Sequence, residues 1–185
     1  MNKTIYLAGG CFWGMEHLME SIKGVVSTTV GYANGNSLEE ANYKTVCLGN
    51  TRFRETVKVI YDSSIVSLDF ILFAYFNVIH PEQKKQQGND IGDQYQTGIY
   101  YIDEDSKKII ERIYNLEKSA QKEFYVEFKE LENFYSAEEY HQKYLDKNPN
   151  GYCHISFSDI NKITKIDASS FVYDKPSKEK IKELL

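Results

Sequence analysis

The 185-residue sequence contains only three cysteines, three prolines and one tryptophan. Cys11, Cys47 and Cys153 are too few and too widely separated for a disulfide scaffold, and no two of them have the spacing of a zinc knuckle. We therefore expect no bound metal. A chain of this length can be stabilised by its own hydrophobic core as one domain.

Long apolar runs are also missing. None approaches membrane-spanning length, and the apolar run near the N-terminus ends at Ala8, too early for a signal peptide. The formal net charge of −5 gives no reason to expect nucleic acid or an anionic membrane as a partner. We expect a cytoplasmic protein, whose thiols stay reduced and whose exposed cysteines are more often catalytic or redox-active than bridged.

Neither an internal repeat nor a low-complexity linker divides the chain, so we expect one domain over residues 1–185 with an irregular tail from about residue 150. Hydrophobic periodicity predicts strands at 4–8, 25–32, 56–61, 95–102 and 125–131. It predicts helices at 12–22, 67–80, 105–121, 136–145 and 177–185, the fourth from a capping box at Ser136. The inward-facing residues predicted for the third helix are Ile109, Ile113, Leu116 and Ala120. The predicted fold class is α/β (α+β), with helices packed on a mixed sheet.

The stretch GGCFWG at residues 9–14 joins the first strand to the first helix. It places Cys11 at the first turn of that helix, where free backbone N–H groups favour a thiolate over a thiol. A buried structural cysteine in a tight turn is the alternative. The flanking glycines and the adjacent Phe12 and Trp13 favour a nucleophile beside a pocket for a small apolar group.

Glu55 begins the strand at 56–61, and Phe53 shares its face while Arg52 and Arg54 point the other way. An apolar neighbour raises a carboxyl pKa, so this residue is a candidate proton donor. A surface glutamate paired with one of its arginine neighbours is an equally weighted alternative.

The polar, glycine-containing stretch between residues 80 and 94 is long for a connection and typical of a functional loop. Asp90 and Tyr95 flank its far end and Tyr43 ends an earlier loop, so these side chains can converge on one cleft. Cys153 lies in a turn-rich segment, predicted to be mobile, where a second thiol can capture an oxidised first one. Cys47, in a short β-like stretch, is expected to be packed and inert.

Several of these motifs, in this order, resemble the A-type peptide methionine sulfoxide reductases. They are GCFWG at 10–14 followed by Glu16, Gly31-Tyr32, QGND at 87–90, Gln94-Tyr95, and Asn148-Pro149 with GYC at 151–153. The resemblance implies a ferredoxin-like two-layer sandwich. It also implies a monomer without a cofactor that reduces the S-epimer of methionine sulfoxide, free or within oxidised proteins, with electrons from thioredoxin.

The resemblance also assigns a role to each thiol. Cys11 is implied to attack the sulfoxide sulfur and to remain as a sulfenic acid, with Phe12 and Trp13 holding the S-methyl group. Cys153 matches the resolving cysteine, which forms the Cys11–Cys153 disulfide that thioredoxin opens.

Four further positions match residues that hold the sulfoxide. Glu55 corresponds to the acid that protonates its oxygen, Tyr43 and Tyr95 to residues that bind this oxygen, and Asp90 to an acid that shapes the site. The chain departs from the family pattern at RFR, residues 52–54, where glycine, histidine and alanine are usual, and at His80, where aspartate is usual. Two cations would lower the pKa of Glu55 unless both point away. A second resolving cysteine and a B-type domain are not expected.

Two alternatives remain at this level. One is a non-catalytic redox-sensing module in which Cys11 and Cys153 switch a binding surface. The other is a peroxide-reducing enzyme, which is disfavoured because an aromatic pair beside the thiol suits a methyl group better than hydrogen peroxide.

The thiol assignments give a first testable prediction. Cys11→Ser is expected to abolish sulfoxide reduction, whereas Cys153→Ser still releases about one methionine per enzyme without turnover by thioredoxin. Chromatography of the released methionine measures both. Full turnover of Cys153→Ser with thioredoxin would contradict the resolving role, and Cys11–Cys153 oxidation without methionine release would favour the redox sensor.

Overall fold

A six-stranded mixed sheet forms the centre of the protein in the computed structural model, which describes all residues 1–185. In chain order the strands are β1 (Asn2–Ala8), β2 (Val25–Ala33), β3 (Arg54–Asp62), β4 (Gln86–Gln87), β5 (Asp90–Ile91), β6 (Gly98–Tyr101), β7 (Glu127–Glu130) and β8 (Phe134–Ser136). Six of them pair in the order β7-β6-β1-β3-β2-β8, and β4 and β5 form a separate small hairpin. All pairs are antiparallel except β6 with β7.

Seven helices pack around this sheet. They are α1 (Phe12–Glu20), α2 (Tyr43–Cys47), α3 (Leu68–Val78), α4 (Glu104–Ser119), α5 (Tyr144–Lys147), α6 (Phe157–Thr164) and α7 (Ser177–Leu184). The chain order β1-α1-β2-β3-α3-β6 with the strand order β6-β1-β3-β2 is a ferredoxin-like arrangement. The predicted mixed sheet with packed helices is therefore confirmed. No helix combines the length and the apolar character needed to cross a bilayer.

Strand β3 lies between β1 and β2 in the sheet, and the apolar residues at every second position, as predicted, form its buried face. Val57 and Val59 are fully buried, and Val57 lies between Leu7 of β1 and Val30 of β2. Helix α3 begins where predicted, because the side chain of Ser67 accepts a hydrogen bond from the backbone N–H of Phe70. These two elements anchor the core on which the site is built.

Three local predictions were wrong because capping or tertiary contacts outweighed local pattern. Residues 43–47 form helix α2 instead of a β-like stretch, since the side chain of Asn42 caps it through the N–H of Thr45. Ser136 ends strand β8, paired with Gly31, instead of starting a helix. The tail is less irregular than predicted, because Ser156 caps helix α6.

The buried face of α4 also differs from the prediction. The sequence pattern pointed Ile109, Ile113, Leu116 and Ala120 inward, but Ala120 is exposed and the buried residues are Ser106, Ile110, Ile113 and Glu117. Glu117 is buried because its carboxylate accepts hydrogen bonds from the hydroxyl of Tyr173 and the backbone N–H of Ser177. Polar groups of Tyr173 and Ser177, close to the C-terminus, thus set the orientation of this helix.

This contact gives a prediction about stability. Tyr173→Phe removes a buried hydrogen bond to a charged acceptor and is expected to lower the free energy of unfolding by about 1–3 kcal/mol, measured by urea denaturation. Tyr140→Phe, at an exposed hydroxyl that donates to Glu138, is the control and is expected to change it by less than about 0.5 kcal/mol. Equal effects of the two substitutions would contradict a structural role for the Tyr173 contact.

Candidate active site

The turn between β1 and α1 presents the first cysteine. Gly10 has a φ of +84°, in the left-handed region that favours glycine, and a Cβ atom there would lie 2.7 Å from the Cβ atom of Gln87. Cys11 follows as the N-cap residue of α1 and is buried. The predicted strand, glycine turn and helix are all present, and they place the thiol beneath the surface.

Cys11 lines a cavity of about 200 Å³ that gathers side chains from distant parts of the sequence. The lining residues are Cys11, Phe12, Trp13, Tyr43, Glu55, Asp90, Tyr95 and Tyr152. Tyr152 is the member that the sequence did not single out, and Cys153 is the predicted site residue that does not line the cavity. A larger cavity of about 550 Å³ near Ile22 and Ala168 contains no cysteine or histidine, so the thiol cavity is the candidate site.

Burial controls the protonation of Cys11. It raises the pKa of the Cys11 thiol well above its ordinary value, and the negative charge that Glu55 carries once it ionises raises this pKa further. The backbone N–H of Trp13 acts in the opposite direction but does not compensate. The predicted thiolate is therefore wrong: the helix N-terminus favours the thiolate, but burial has the larger effect on the pKa of Cys11.

Glu55 is a buried acid at the start of β3. Burial raises its pKa to about 8, although the N–H of Phe12 donates a hydrogen bond to Glu55 Oε1 at 3.2 Å and partly offsets this shift. Its arginine neighbours turn away: Arg54 Nε lies 2.9 Å from Glu127 Oε1, and Arg52 is exposed with its nearest carboxylate on Glu132. The surface ion pair considered from the sequence is thus absent, and the carboxyl group is mainly protonated at neutral pH.

The tyrosines add hydroxyl donors to the same cavity. Burial raises the pKa of Tyr43 to about 12, and burial followed by the charge of Glu55 raises the pKa of Tyr95 further still. Both phenols are therefore neutral and able to donate. The hydroxyl of Tyr152 donates a hydrogen bond to Asp90 Oδ2 at 3.1 Å, which connects the chain next to Cys153 to the β4–β5 hairpin.

The orientation of Trp13 depends on Tyr144 and His141, which no sequence motif indicated. Its indole stacks on the ring of Tyr144 at a centroid distance of 3.7 Å and an interplanar angle of 11°. Its Nε1–H donates to Nδ1 of His141 at 3.0 Å, and burial lowers the pKa of His141, which keeps this acceptor unprotonated. His141 is 128 residues away in sequence, so local spacing carries no signal of this contact.

The other two thiols differ from each other. Cys153 is half-buried and its Sγ donates a hydrogen bond to the carbonyl of Ile155 at 3.1 Å. Cys47 is exposed at the end of α2, so the expectation that it is packed was wrong, because the capped helix turns its side chain outward. All three cysteines are free.

A family model described as peptide methionine sulfoxide reductase matches residues 3–171. The chain belongs to this family. It is 53% identical over 154 residues to the peptide methionine sulfoxide reductase MsrA of Clostridium perfringens, a match that covers 83% of this chain and 98% of the relative.

Solved structures agree. Mxr1 from Saccharomyces cerevisiae in reduced form is similar with a TM-score of 0.77 and 35% identity, over 84% of this chain and 91% of that chain. Mxr1 in complex with Trx2 is similar with a TM-score of 0.52 and 26% identity, over 77% and 84% of the two chains.

This A-type peptide methionine sulfoxide reductase is an enzyme whose reaction is thiol-dependent reduction of methionine sulfoxide. The non-catalytic redox sensor is not favoured. The cavity provides what such a reduction requires, since it combines a thiol, a neutral carboxylic acid and neutral hydroxyl donors with an aromatic wall.

The raised pKa of Glu55 has a measurable consequence for stability. Between its ordinary value of 4.5 and about 8 the folded state keeps a proton that the unfolded state has lost. The contribution of this group to the free energy of unfolding therefore falls as the pH rises, by at most about 1.4 kcal/mol per pH unit.

Glu55→Gln removes this titration while keeping the acceptor for Phe12. We expect the variant to become progressively more stable than the unsubstituted enzyme between pH 5 and pH 8, as measured by urea denaturation at each pH. A stability difference that is independent of pH would contradict the buried, protonated state of this carboxyl group.

Proposed function

We propose that the enzyme reduces the S-epimer of methionine sulfoxide, free or within oxidised proteins, with Cys11 as nucleophile and Glu55 as acid. The observation that carries the proposal is the buried carboxyl group of Glu55, with a pKa of about 8, in the same cavity as the Cys11 thiol. An acid of this kind supplies a proton to a poor leaving oxygen at neutral pH.

In the first step the sulfur of Cys11 attacks the sulfoxide sulfur. Glu55 protonates the sulfoxide oxygen, and the proton of the Cys11 thiol restores the carboxylic acid. The bond between substrate sulfur and oxygen breaks as the oxygen passes to Cys11, and the bond formed between the two sulfurs breaks as methionine departs. Methionine leaves, its sulfur reduced by two electrons, and Cys11 is oxidised to the sulfenic acid.

The remaining cavity residues orient the substrate in this proposal. Phe12 and Trp13 form an apolar wall that accepts the S-methyl group, while Tyr43 and Tyr95 donate hydrogen bonds to the sulfoxide oxygen. Asp90 shapes the site from the β5 hairpin through its contact with Tyr152. Discrimination between epimers follows because a methyl group and an oxygen occupy different sides of one cavity.

In the second step Cys153 acts as the resolving cysteine. Its sulfur attacks the sulfur of the Cys11 sulfenic acid, the sulfur–oxygen bond breaks, and water leaves with the proton of the Cys153 thiol. The resulting Cys11–Cys153 disulfide is reduced by thioredoxin, a proposal supported by the similarity to Mxr1, which has been solved with Trx2. We further propose that residues 1–185 act as one cytoplasmic, monomeric unit, in line with the motif resemblance and with the single six-stranded sheet around which the chain folds.

Separate assays on the two epimers of methionine sulfoxide test the first step. The S-epimer is expected to be reduced and the R-epimer left unchanged. Glu55→Gln, which retains shape but cannot transfer a proton, is expected to lower kcat/KM by about 10²- to 10⁴-fold. Equal reduction of both epimers would contradict the stereochemical assignment.

A matched control is available on α1. Glu16 is also buried, and its carboxylate accepts hydrogen bonds from Thr28 and from the backbone of Lys143, outside the cavity. Glu16→Gln is expected to remain close to wild-type activity. A loss as large as that of Glu55→Gln, or an unchanged kcat/KM in Glu55→Gln, would show that Glu55 is not the acid.

A further inference from the structure

The C-terminal segment that carries Cys153, residues 151–155, is attached to the rest of the site on both sides of the thiol. On one side the hydroxyl of Tyr152 donates to Asp90. On the other, Ile155 is buried in the core with 3% of its surface exposed, and His154 contacts the turn before Cys11. These contacts attach the segment, which the sequence predicted to be mobile, on both sides of the thiol.

The contact of His154 is specific in its chemistry. Its Nε2 lies 3.0 Å from the carbonyl oxygen of Gly9, and its Nδ1 is buried without a hydrogen-bond partner. A carbonyl oxygen only accepts, so Nε2 must carry a proton and donate. The imidazole therefore links the segment with Cys153 directly to the glycine turn that presents Cys11.

The segment lies against two glycines, Gly10 in the turn before α1 and Gly14 on α1, which have no side chains to occupy the space. A Cβ atom at Gly14 would lie 3.0 Å from Sγ of Cys153 and 3.3 Å from Nδ1 of His154. A Cβ atom at Gly10 would lie 3.2 Å from Nε2 of His154. The two glycines that frame Cys11 thus leave room for the segment to lie against the start of the helix.

We propose that His154 is a positioning residue for the resolving step, and that its hydrogen bond to Gly9, seated over Gly14, holds the Cys153 thiol close to Cys11. This rests on the proposed function, in which Cys153 attacks the Cys11 sulfenic acid and water leaves. His154 neither gains nor loses a proton in this role. It increases the rate at which Cys153 reacts with the Cys11 sulfenic acid, and it does not affect the release of methionine.

The size of the effect follows from the sensitivity of such reactions to placement. Attack of one sulfur on another requires close approach and alignment, and a misplacement of about 1 Å can slow an intramolecular step by about 100-fold. Without its attachment to Gly9 the segment keeps the Tyr152 and Ile155 contacts, so resolution slows but is not abolished. We expect disulfide formation in His154→Ala to be about 10- to 100-fold slower.

The test is a single-turnover experiment on the full chain with one equivalent of methionine S-sulfoxide and no external reductant. Quenched samples give the rate of methionine release by chromatography. Thiol alkylation and mass spectrometry give the rate of Cys11–Cys153 disulfide formation, and a sulfenic acid trap measures the intermediate. His154→Ala is expected to release methionine at the wild-type rate while the sulfenic acid accumulates, as it does in Cys153→Ser.

Three further variants make the result specific. His154→Gln retains an N–H donor near the position of Nε2, and it is expected to recover most of the lost rate of disulfide formation. Gly14→Ala introduces the Cβ atom that crowds the thiol, and it is expected to slow the same step while methionine release continues. His80→Gln, at an exposed histidine outside the cavity, is the matched control and is expected to behave as wild type.

The outcomes separate this inference from the function on which it rests. Wild-type disulfide formation in His154→Ala would overturn it while leaving the proposed function intact. Failure of His154→Gln to recover any rate would also overturn it, because the hydrogen bond would then not be the cause. If the unsubstituted chain released no methionine from the S-epimer, the proposed function itself would fail.

Discussion

The hydrogen bond from the backbone N–H of Phe12 to the carboxyl group of Glu55 connects the two halves of the active site. It joins the first residue of α1 to the second residue of β3, 43 positions later in the sequence, and both residues are buried. The side chain of Cys11, the N-cap residue, accepts no hydrogen bond from the helix, so Glu55 provides the acceptor for a free N–H group at the helix start. One contact thus holds the start of the helix that carries Cys11, the proposed nucleophile, against Glu55, the proposed acid.

The same burial that places these groups also makes both of them neutral. An exposed thiol at a helix N-terminus is activated by the helix, but here removal from water has the larger effect on Cys11. A neutral thiol next to a neutral acid is protected from oxidants that react with thiolates. In the proposed mechanism it becomes reactive when a substrate oxygen takes the proton from the acid. Burial of two ionisable groups lowers stability, which active sites commonly tolerate in return for reactivity.

Much of this site could be predicted from sequence because its parts follow local rules. Glycine before a helix predicted the turn at Gly10. Period-two alternation predicted that Glu55 shares a face with Phe53, and it correctly turned Arg52 and Arg54 away, although it left a surface position for Glu55 equally open. What could not be predicted depends on tertiary contacts. His141 and Tyr144 reach Trp13 across more than 120 residues, and the pKa of Cys11 depends on how deeply the folded chain buries it.

Errors in secondary structure have a similar origin. Asn42 and Ser156 each cap a short helix through one side chain, and single capping residues are easily overlooked beside runs of β-branched or polar residues. The buried face of α4 was misjudged because Glu117, a charged residue, is the one that turns inward. Hydrophobic pattern alone does not reveal a buried carboxyl group whose partners, Tyr173 and Ser177, lie more than 50 residues further along the chain.

The position of Trp13 has a practical consequence. It is the only tryptophan of the chain, and it lies in the wall of the cavity, stacked on Tyr144 and hydrogen-bonded to His141. When tryptophan is excited selectively, the intrinsic fluorescence of the whole protein comes from this one ring. A ligand that fills the cavity changes the surroundings of this single emitter, and so does the oxidation of Cys11 in the proposed mechanism. The protein therefore carries an optical reporter of its own cavity without any label.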